Sequence, residues 1–179
     1  MKRTLIISVF FIVFLLIYFL QTNFFNWYNI GGIKPNLFII LTLFIGLFMG
    51  KIYGFSIGIL YGMCLDLFIG KRIGINAIML ALAGLIGGVL DKSFLKDNRL
   101  NFMFMSIAVT ILCETINYIL QIIILGADQQ IIMFTKIIII EAIYNSILVM
   151  ILYPLIQKIG NRIEEIHTEK RSKALMRYY

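Results

Sequence analysis

Glycine recurs at every fourth position in one apolar stretch of this 179-residue chain. The series runs through Gly46, Gly50, Gly54, Gly58 and Gly62, reaches Asp66 at the next step, and continues at Gly70 and Gly74. Residues four apart lie on one side of a helix, and glycines there let helix backbones approach closely, as helices do in lipid. The pattern therefore predicts a membrane protein in which Gly46 to Gly62, here called the glycine seam, form one helix-packing face.

The composition agrees, because 61% of the residues are hydrophobic and only 14% are charged. That balance excludes an ordinary soluble domain. Cys64 and Cys113 both lie in apolar runs and form no CxxC pair, so they are interpreted as packing thiols. The single histidine, His167, lies in the polar tail, so a histidine-dependent site inside the membrane is excluded. No metal and no cofactor is expected.

Apolar runs predict an all-α polytopic membrane protein with about six transmembrane helices, over residues 4–20, 36–50, 53–69, 75–90, 102–125 and 131–153. These form a transmembrane domain over 1–156, and the polar, aromatic segment 21–36 is expected to be an interfacial loop. The second and fourth helices reach about 24 Å, short of the roughly 30 Å of hydrocarbon. They should be covered by neighbours, thin the bilayer locally, or stop short of a full span.

Lysine and arginine are distributed unevenly when the N-terminus is placed in the cytoplasm. Twelve basic residues then lie in the cytoplasm and three, Lys34, Lys71 and Arg72, lie outside. The twelve are Lys2, Arg3, Lys51, Lys92, Lys96, Arg99, Lys158, Arg162, Lys170, Arg171, Lys173 and Arg177. This bias follows the positive-inside rule and predicts a multi-pass membrane protein with both termini in the cytoplasm.

Residues 157–179 form a basic tail with the spacing of a weakly amphipathic helix. Such a tail is attracted to anionic membrane lipid, and binding to a cytoplasmic protein is the alternative. The charge bias and this tail account for the pI of about 9.5, so no nucleic-acid partner is expected.

Five polar residues within the apolar runs form a predicted intramembrane cluster: Asp66, Glu114, Asn117, Glu141 and Asn145. Polar groups are costly in lipid, so these side chains should face the interior, either lining one cavity or linking helices by hydrogen bonds. Lys136 is one possible partner for Glu141. We expect Asp66, near the outer end of helix three, to be held by a hydrogen bond, and Gly58 and Gly62 to lie against another helix.

The intramembrane polar residues also help to decide between a transporter, a scaffold and an enzyme. Intramembrane acids suggest a proton or cation pathway through Asp66, Glu114 and Glu141, but broken helices and a clear repeat, which are typical of transporters, are lacking. A structural or subunit-binding role is favoured. The chain carries no paired-histidine metal motif, no GxSxG and no phosphate loop, so catalysis is the least favoured class and no catalytic residue is assigned.

Several motifs resemble the rod shape-determining protein MreD family. Lys34-Pro35-Asn36-Leu37 resembles its Pro-Asp/Asn-Leu signature, and GFSIGILYGMCLD, ending at Asp66 and followed by Gly74, resembles its Gly-Phe-x-x-Gly-x-x-x-Gly-x-x-x-Asp stretch. Asn145 and Pro154 in the last helix also fit. The order of these motifs, the length and the six spans together extend the resemblance over nearly the whole chain.

The resemblance implies a non-enzymatic scaffold of bacterial cell-wall elongation, which couples peptidoglycan synthesis to cell shape. Its implied partners are an MreC-like coiled-coil membrane protein, the filament MreB, the glycosyltransferase RodA and a class B penicillin-binding protein. The family is also similar in fold to the substrate-binding subunits of energy-coupling-factor vitamin transporters, so a small-molecule-binding transporter subunit is the alternative. Few polar residues are expected near the outer helix ends, which favours the scaffold.

Overall fold

The computed structural model describes the backbone of residues 2–69, 74–90, 98–125 and 131–175. Side-chain environments are described for residues 8–69, 74–90, 98–123, 131–160 and 162. Several features named above lie outside these ranges: Gly70, the charges at Lys71, Arg72, Lys92 and Lys96, and the side chains of the tail beyond residue 162.

Six principal helices make up the described chain, in the order that the sequence predicts. They are α1 (Lys2–Phe19), α2 (Leu37–Met49), α3 (Lys51–Ile69), α4 (Ile75–Val89), α5 (Arg99–Leu125) and α6 (Ile131–Leu175). Four segments of the described chain are long and apolar enough to cross a membrane: Ser8–Trp27, which begins in α1, and spans within α3, α5 and α6. In contrast, α2 and α4 are shorter apolar helices. The prediction of an all-helical membrane protein is confirmed.

The interfacial loop predicted over 21–36 is wrong in its first half. The helical path of α1 continues through a π-helical turn, Leu20–Phe24, and ends with a short α-helical turn, Phe25–Trp27. The polar residues of this segment do not break the helix, because the Thr22 hydroxyl and the Asn23 amide donate to carbonyl groups one turn earlier. An irregular segment follows, with positive φ angles at Gly31 and Gly32.

The end predicted for the sixth helix at Tyr153 is also wrong. The α6 backbone continues through Pro154 as far as Leu175. Proline removes one backbone donor, and helices in membrane proteins tolerate this where neighbouring groups compensate. The boundary predicted between 156 and 157 therefore falls within a continuous helix. Whether the tail behaves as a separate unit stays a prediction.

α2 lies at the centre of the molecule. Eleven of its 13 residues are buried, so neighbouring helices surround it on every side. At the usual rise of about 1.5 Å per residue it is only about 20 Å long. Of the explanations offered for the short helices, cover by neighbours is the one observed for α2.

The glycine seam brings three helices into backbone contact. A Cβ atom at Gly46 of α2, or at Gly54 of α3, would overlap the carbonyl group of Gly84 in α4. The Gly46 Cα lies only 2.6 Å from the position a Gly54 Cβ would take. α2, α3 and α4 therefore converge at this one level, and only glycines fit there.

The contacts between α3 and α4 continue in antiparallel register. A Cβ at Gly58 would overlap the backbone at Leu80, and one at Gly62 would overlap the backbone at Ala77. The prediction that Gly58 and Gly62 lie against another helix is confirmed. The two antiparallel helices thus touch along most of their length.

Gly50 does not belong to the packing face that the sequence predicts. No atom of the described residues lies within 4 Å of where its Cβ would be, and its φ is +97°. It links α2 to α3 in a conformation that L-residues with a side chain rarely adopt. The seam is therefore divided between two helices rather than lying on one face, because the chain turns at Gly50.

Aromatic side chains hold α1 against α2 and α3. Phe14 is buried, with its ring centroid 5.4 Å from that of Phe38 and 5.3 Å from that of Tyr61. The Tyr61 hydroxyl donates to the Phe10 carbonyl at 2.9 Å. The opposite side of α1 is apolar and exposed, as a lipid-facing surface requires.

Candidate functional site

Asp66 caps the N-terminus of α4 from the neighbouring helix. It is 1% exposed, and its Oδ2 accepts from the Gly74 N–H at 2.7 Å and from the Ala77 N–H at 3.4 Å. Its Oδ1 accepts from the side-chain amide of Asn76 at 2.9 Å and from the Asn76 N–H at 3.3 Å. The expectation of an inward, hydrogen-bonded Asp66 is confirmed.

This arrangement explains why a carboxylate is stable at this depth. The first N–H groups of a helix have no partner within that helix, and the helix dipole favours negative charge at the same end. Gly74, with a φ of +102°, is the capping residue and has no side chain of its own to offer. Asp66 supplies the acceptors that Gly74 lacks.

The N-terminus of α2 is capped in a similar way by residues from distant parts of the chain. The Asn36 side chain accepts from the Ile39 N–H at 3.4 Å. The Gln21 Oε1 accepts from the Leu37 N–H at 3.2 Å, and the Asn145 Oδ1 accepts from the Asn36 N–H at 2.9 Å. Three helices, α1, α2 and α6, are joined at this point.

Asn145 extends this connection to a fourth helix. It is fully buried, and its side-chain amide donates to the Thr110 hydroxyl of α5 at 3.0 Å. The residues of the family signatures therefore meet in two pairs, Asn36 with Asn145 and Asp66 with Gly74. Each pair closes the N-terminus of one short helix. Of the other signature residues, Pro35 is buried just before α2 and Pro154 is exposed on α6.

A cavity of about 510 Å³ opens beside the N-terminus of α2. We call it the α1–α6 cavity, because its walls include the π-helical turn of α1, residues 32–36, the last turn of α3 and the first part of α6. Its polar lining comes from Gln21, Thr22, Lys34, Asn36 and Glu141. The rest of the wall is mainly apolar.

Glu141 is the most unusual group in this cavity. The residue is 6% exposed, and its Oε1 has no hydrogen-bond partner within the described residues. A buried polar group left without a partner costs about 1–3 kcal/mol, and more when it is charged. Lys136, suggested above as a partner, lies instead beside the Gly31 turn, with its Nζ 3.8 Å from the position of a Gly31 Cβ.

Glu114 on α5 is an acidic neighbour of Glu141. It has a partner of its own, because the Asn117 amide donates to its Oε2 at 3.3 Å. Gln121 in turn donates to the Asn117 Oδ1 at 2.8 Å. Glu114 is not part of the cavity wall.

The structure thus resolves the predicted intramembrane cluster into separate arrangements. Asp66 shares no hydrogen bond with Glu114 or Glu141 among the described residues, since its partners all lie in 74–77. Glu114 and Asn117 are bonded to each other, and Asn145 is a link between helices. The described part of the chain shows no single cavity lined by all five residues.

Several contributors were missed by sequence reasoning. Gly84 is the partner of the seam, and Gln21, Thr22 and Lys34 line the cavity. The closely spaced glycines Gly84, Gly87 and Gly88 are a signal that could have found the seam's partner. No local signal marks the cavity. Among the described residues, no group of three or more His, Cys, Asp or Glu side chains could hold a metal ion.

These features define a class, a helical membrane protein with four candidate spans and two short central helices. The sequence model of the rod shape-determining protein MreD matches residues 1–162. The chain therefore belongs to the MreD family, and the resemblance given above is confirmed. Membership implies a part in the determination of rod shape. Comparison with curated proteins gives no match, and comparison with solved structures gives none either.

Proposed function

We propose that this chain is a non-enzymatic membrane scaffold of the bacterial cell-wall elongation machinery. In this proposal it binds an MreC-like coiled-coil membrane protein and works beside MreB, RodA and a class B penicillin-binding protein, coupling peptidoglycan synthesis to cell shape. The observation that carries the proposal is the family match over residues 1–162.

The hydrogen bonds made by the buried polar side chains support a structural role. Asp66, Asn145 and Gln21 all accept hydrogen bonds at the N-termini of the short helices. Side chains committed to holding helices in place are poorly suited to changing their protonation or partners during a reaction cycle. They suit a rigid body on which other proteins assemble.

The binding proposal is tested by co-purification. The full chain is purified from cells that also produce an MreC-like protein, with an unrelated six-span membrane protein at equal abundance as the control. We expect the MreC-like protein to be retained on this chain alone, and the chain to restore rod shape to cells depleted of their own family member. Equal retention on both baits would contradict the proposal.

Both termini are proposed to lie in the cytoplasm, with the cytoplasmic membrane as the location. The support is the distribution of twelve basic residues on one side against three on the other. Topology reporters fused at Gly32, Asn98 and Tyr179 should therefore read outside, inside and inside. An external reading at Tyr179 would overturn the six-span orientation.

A second candidate is the small-molecule-binding subunit of an energy-coupling-factor-type vitamin transporter. The α1–α6 cavity favours it, because polar groups gather where few were expected. In the proposed orientation this cavity lies at the outer ends of the helices. Retention of an energy-coupling transmembrane subunit, in place of the MreC-like protein, would favour this candidate.

A further inference from the structure

The α1–α6 cavity has the dimensions of a ligand site. Its volume of about 510 Å³ lies within the range of roughly 300–1,000 Å³ that is usual for small-molecule pockets. Like such pockets it combines an apolar wall, including Phe38, Leu65 and Ile137, with a few polar groups. Neither the scaffold role nor the family match assigns a ligand to it.

Most of the polar groups in the cavity are already used within the protein. The Thr22 hydroxyl donates to the Tyr18 carbonyl at 2.8 Å, and the Gln21 Oε1 accepts from Leu37. The Asn36 Oδ1 accepts from Ile39. The oxygen atoms of these three side chains therefore already have partners within the protein.

Glu141 and Lys34 are different. The Glu141 Oε1 is buried without a partner, and no ion pair joins Glu141 to Lys34 in the described part of the chain. Lys34 is half-buried on the irregular segment that leads into α2. One acidic and one basic side chain thus line the same cavity, each available to a separate group of a ligand. A ligand donor that reached the Glu141 Oε1 would remove the cost of leaving that oxygen without a partner.

From these observations we propose that the α1–α6 cavity binds a zwitterionic amine, a molecule with a primary ammonium group and an anionic group joined by a short link. The ammonium group donates to Glu141, the anionic group pairs with Lys34, and an apolar portion contacts the α3 and α6 walls. An aminophospholipid headgroup and a free amino acid share this chemistry. The inference is independent of binding to an MreC-like protein.

The test uses the full chain in nanodiscs and two probes. The first is phosphatidylethanolamine, compared by native mass spectrometry with phosphatidylcholine, whose methylated nitrogen has no N–H to donate. The second is free leucine, measured by thermal shift in nanodiscs without phosphatidylethanolamine. We expect one probe to bind and Glu141→Gln and Lys34→Ala each to weaken its binding at least about tenfold, the loss of a charge-assisted hydrogen bond.

The chain offers matched controls for both variants. Glu114→Gln neutralises the buried acid beside the cavity, and Lys136→Ala removes a lysine from the same end of the bundle. Neither variant should weaken binding, because neither side chain lines the cavity. If phosphatidylethanolamine is retained, the ligand is a lipid headgroup. If leucine instead raises the unfolding temperature, and Glu141→Gln and Lys34→Ala weaken that effect, the ligand is a free amino acid. The proposal would be overturned if neither probe bound. It would also be overturned if the folded Lys34→Ala variant bound the probe as tightly as the wild type.

Discussion

The two sides of the α2 helix are packed in opposite ways. On one side, Gly46 and the glycines of α3 bring backbone against backbone at α4, and a single added methyl group has no room. On the other side, the π-helical turn of α1 and the start of α6 leave a cavity of about 510 Å³. It holds a carboxyl oxygen that has no hydrogen-bond partner among the described residues. The first side resembles the rigid core of a scaffold, and the second resembles a binding site.

The difference follows from the side chains that face α2. Where glycine faces glycine, helix axes come close and dispersion contacts between backbones replace the hydrophobic effect, which gives no driving force within lipid. Where long side chains and an irregular segment meet, the helices cannot close fully. This comparison predicts that the same chemical change should be costly on the glycine side and tolerated on the cavity side.

The largest effect is expected for Gly84→Leu. Its side chain would overlap the Gly54 carbonyl and separate three helices at once. Overpacking a tight contact usually costs about 1–3 kcal/mol, and we expect the top of that range or more because two contacts are affected. Thermal unfolding in one detergent, with the yield of monodisperse protein, measures the loss.

A matched control for this substitution is available on α3. Ser56 is a small residue on the exposed face of that helix, so Ser56→Leu should leave the unfolding midpoint nearly unchanged. Gly58→Leu, which meets the α4 backbone at Leu80, should cost about 1–3 kcal/mol. If Gly84→Leu were as stable as Ser56→Leu, close backbone contact would not be what holds the glycine side together.

The next effect concerns Asp66, which belongs to the glycine side because it caps α4. Asp66→Leu removes every acceptor at that helix end and should cost about 3 kcal/mol or more. Asp66→Asn should cost about 1–2 kcal/mol, as loss of part of a helix cap does. Both carboxyl oxygens accept hydrogen bonds, so an amide NH₂ group would face a donor. The sequence alone, in contrast, leads to the expectation that Asp66→Asn supports rod shape almost as well as the wild type.

Thermal unfolding and restoration of rod shape together measure the Asp66 variants. The expected order is wild type, then Asn, then Leu, in both assays. If both variants failed equally to restore rod shape while present at normal levels, the residue would be acting through its ionisation. That outcome would favour a transport function over the scaffold function.

The smallest effect is expected for Glu141→Gln, the corresponding change on the cavity side. Within the described structure the Glu141 Oε1 has no hydrogen-bond partner to lose, and replacing a buried acid by an amide lowers the cost of desolvation. Stability should therefore change by less than about 0.5 kcal/mol or rise slightly, as at sites without specific contacts. The free energies of unfolding of Glu141→Gln and Asp66→Asn are measured side by side. If both variants were destabilised equally, the glycine side and the cavity side would not differ.

The sequence alone determined the class of the protein and much of its local structure. Apolar runs define the helices, because lipid requires each helix to satisfy its own backbone, and the depth of Asp66 requires it to face inward. The spacing of Gly58 and Gly62 predicted a close helix contact, which is observed. These inferences depend on residues near one another in the chain.

Tertiary structure decided which distant residues meet. Gly50 follows the same four-residue spacing as its neighbours, and the second helix was predicted to end there. The spacing did not show that Gly50 turns the chain instead of joining the packing face. Asn36 and Asn145 are 109 positions apart, and no local pattern pairs them. The cavity arises from the way α1, α3 and α6 pack around α2, so the unpartnered oxygen of Glu141 appears only when all four are assembled.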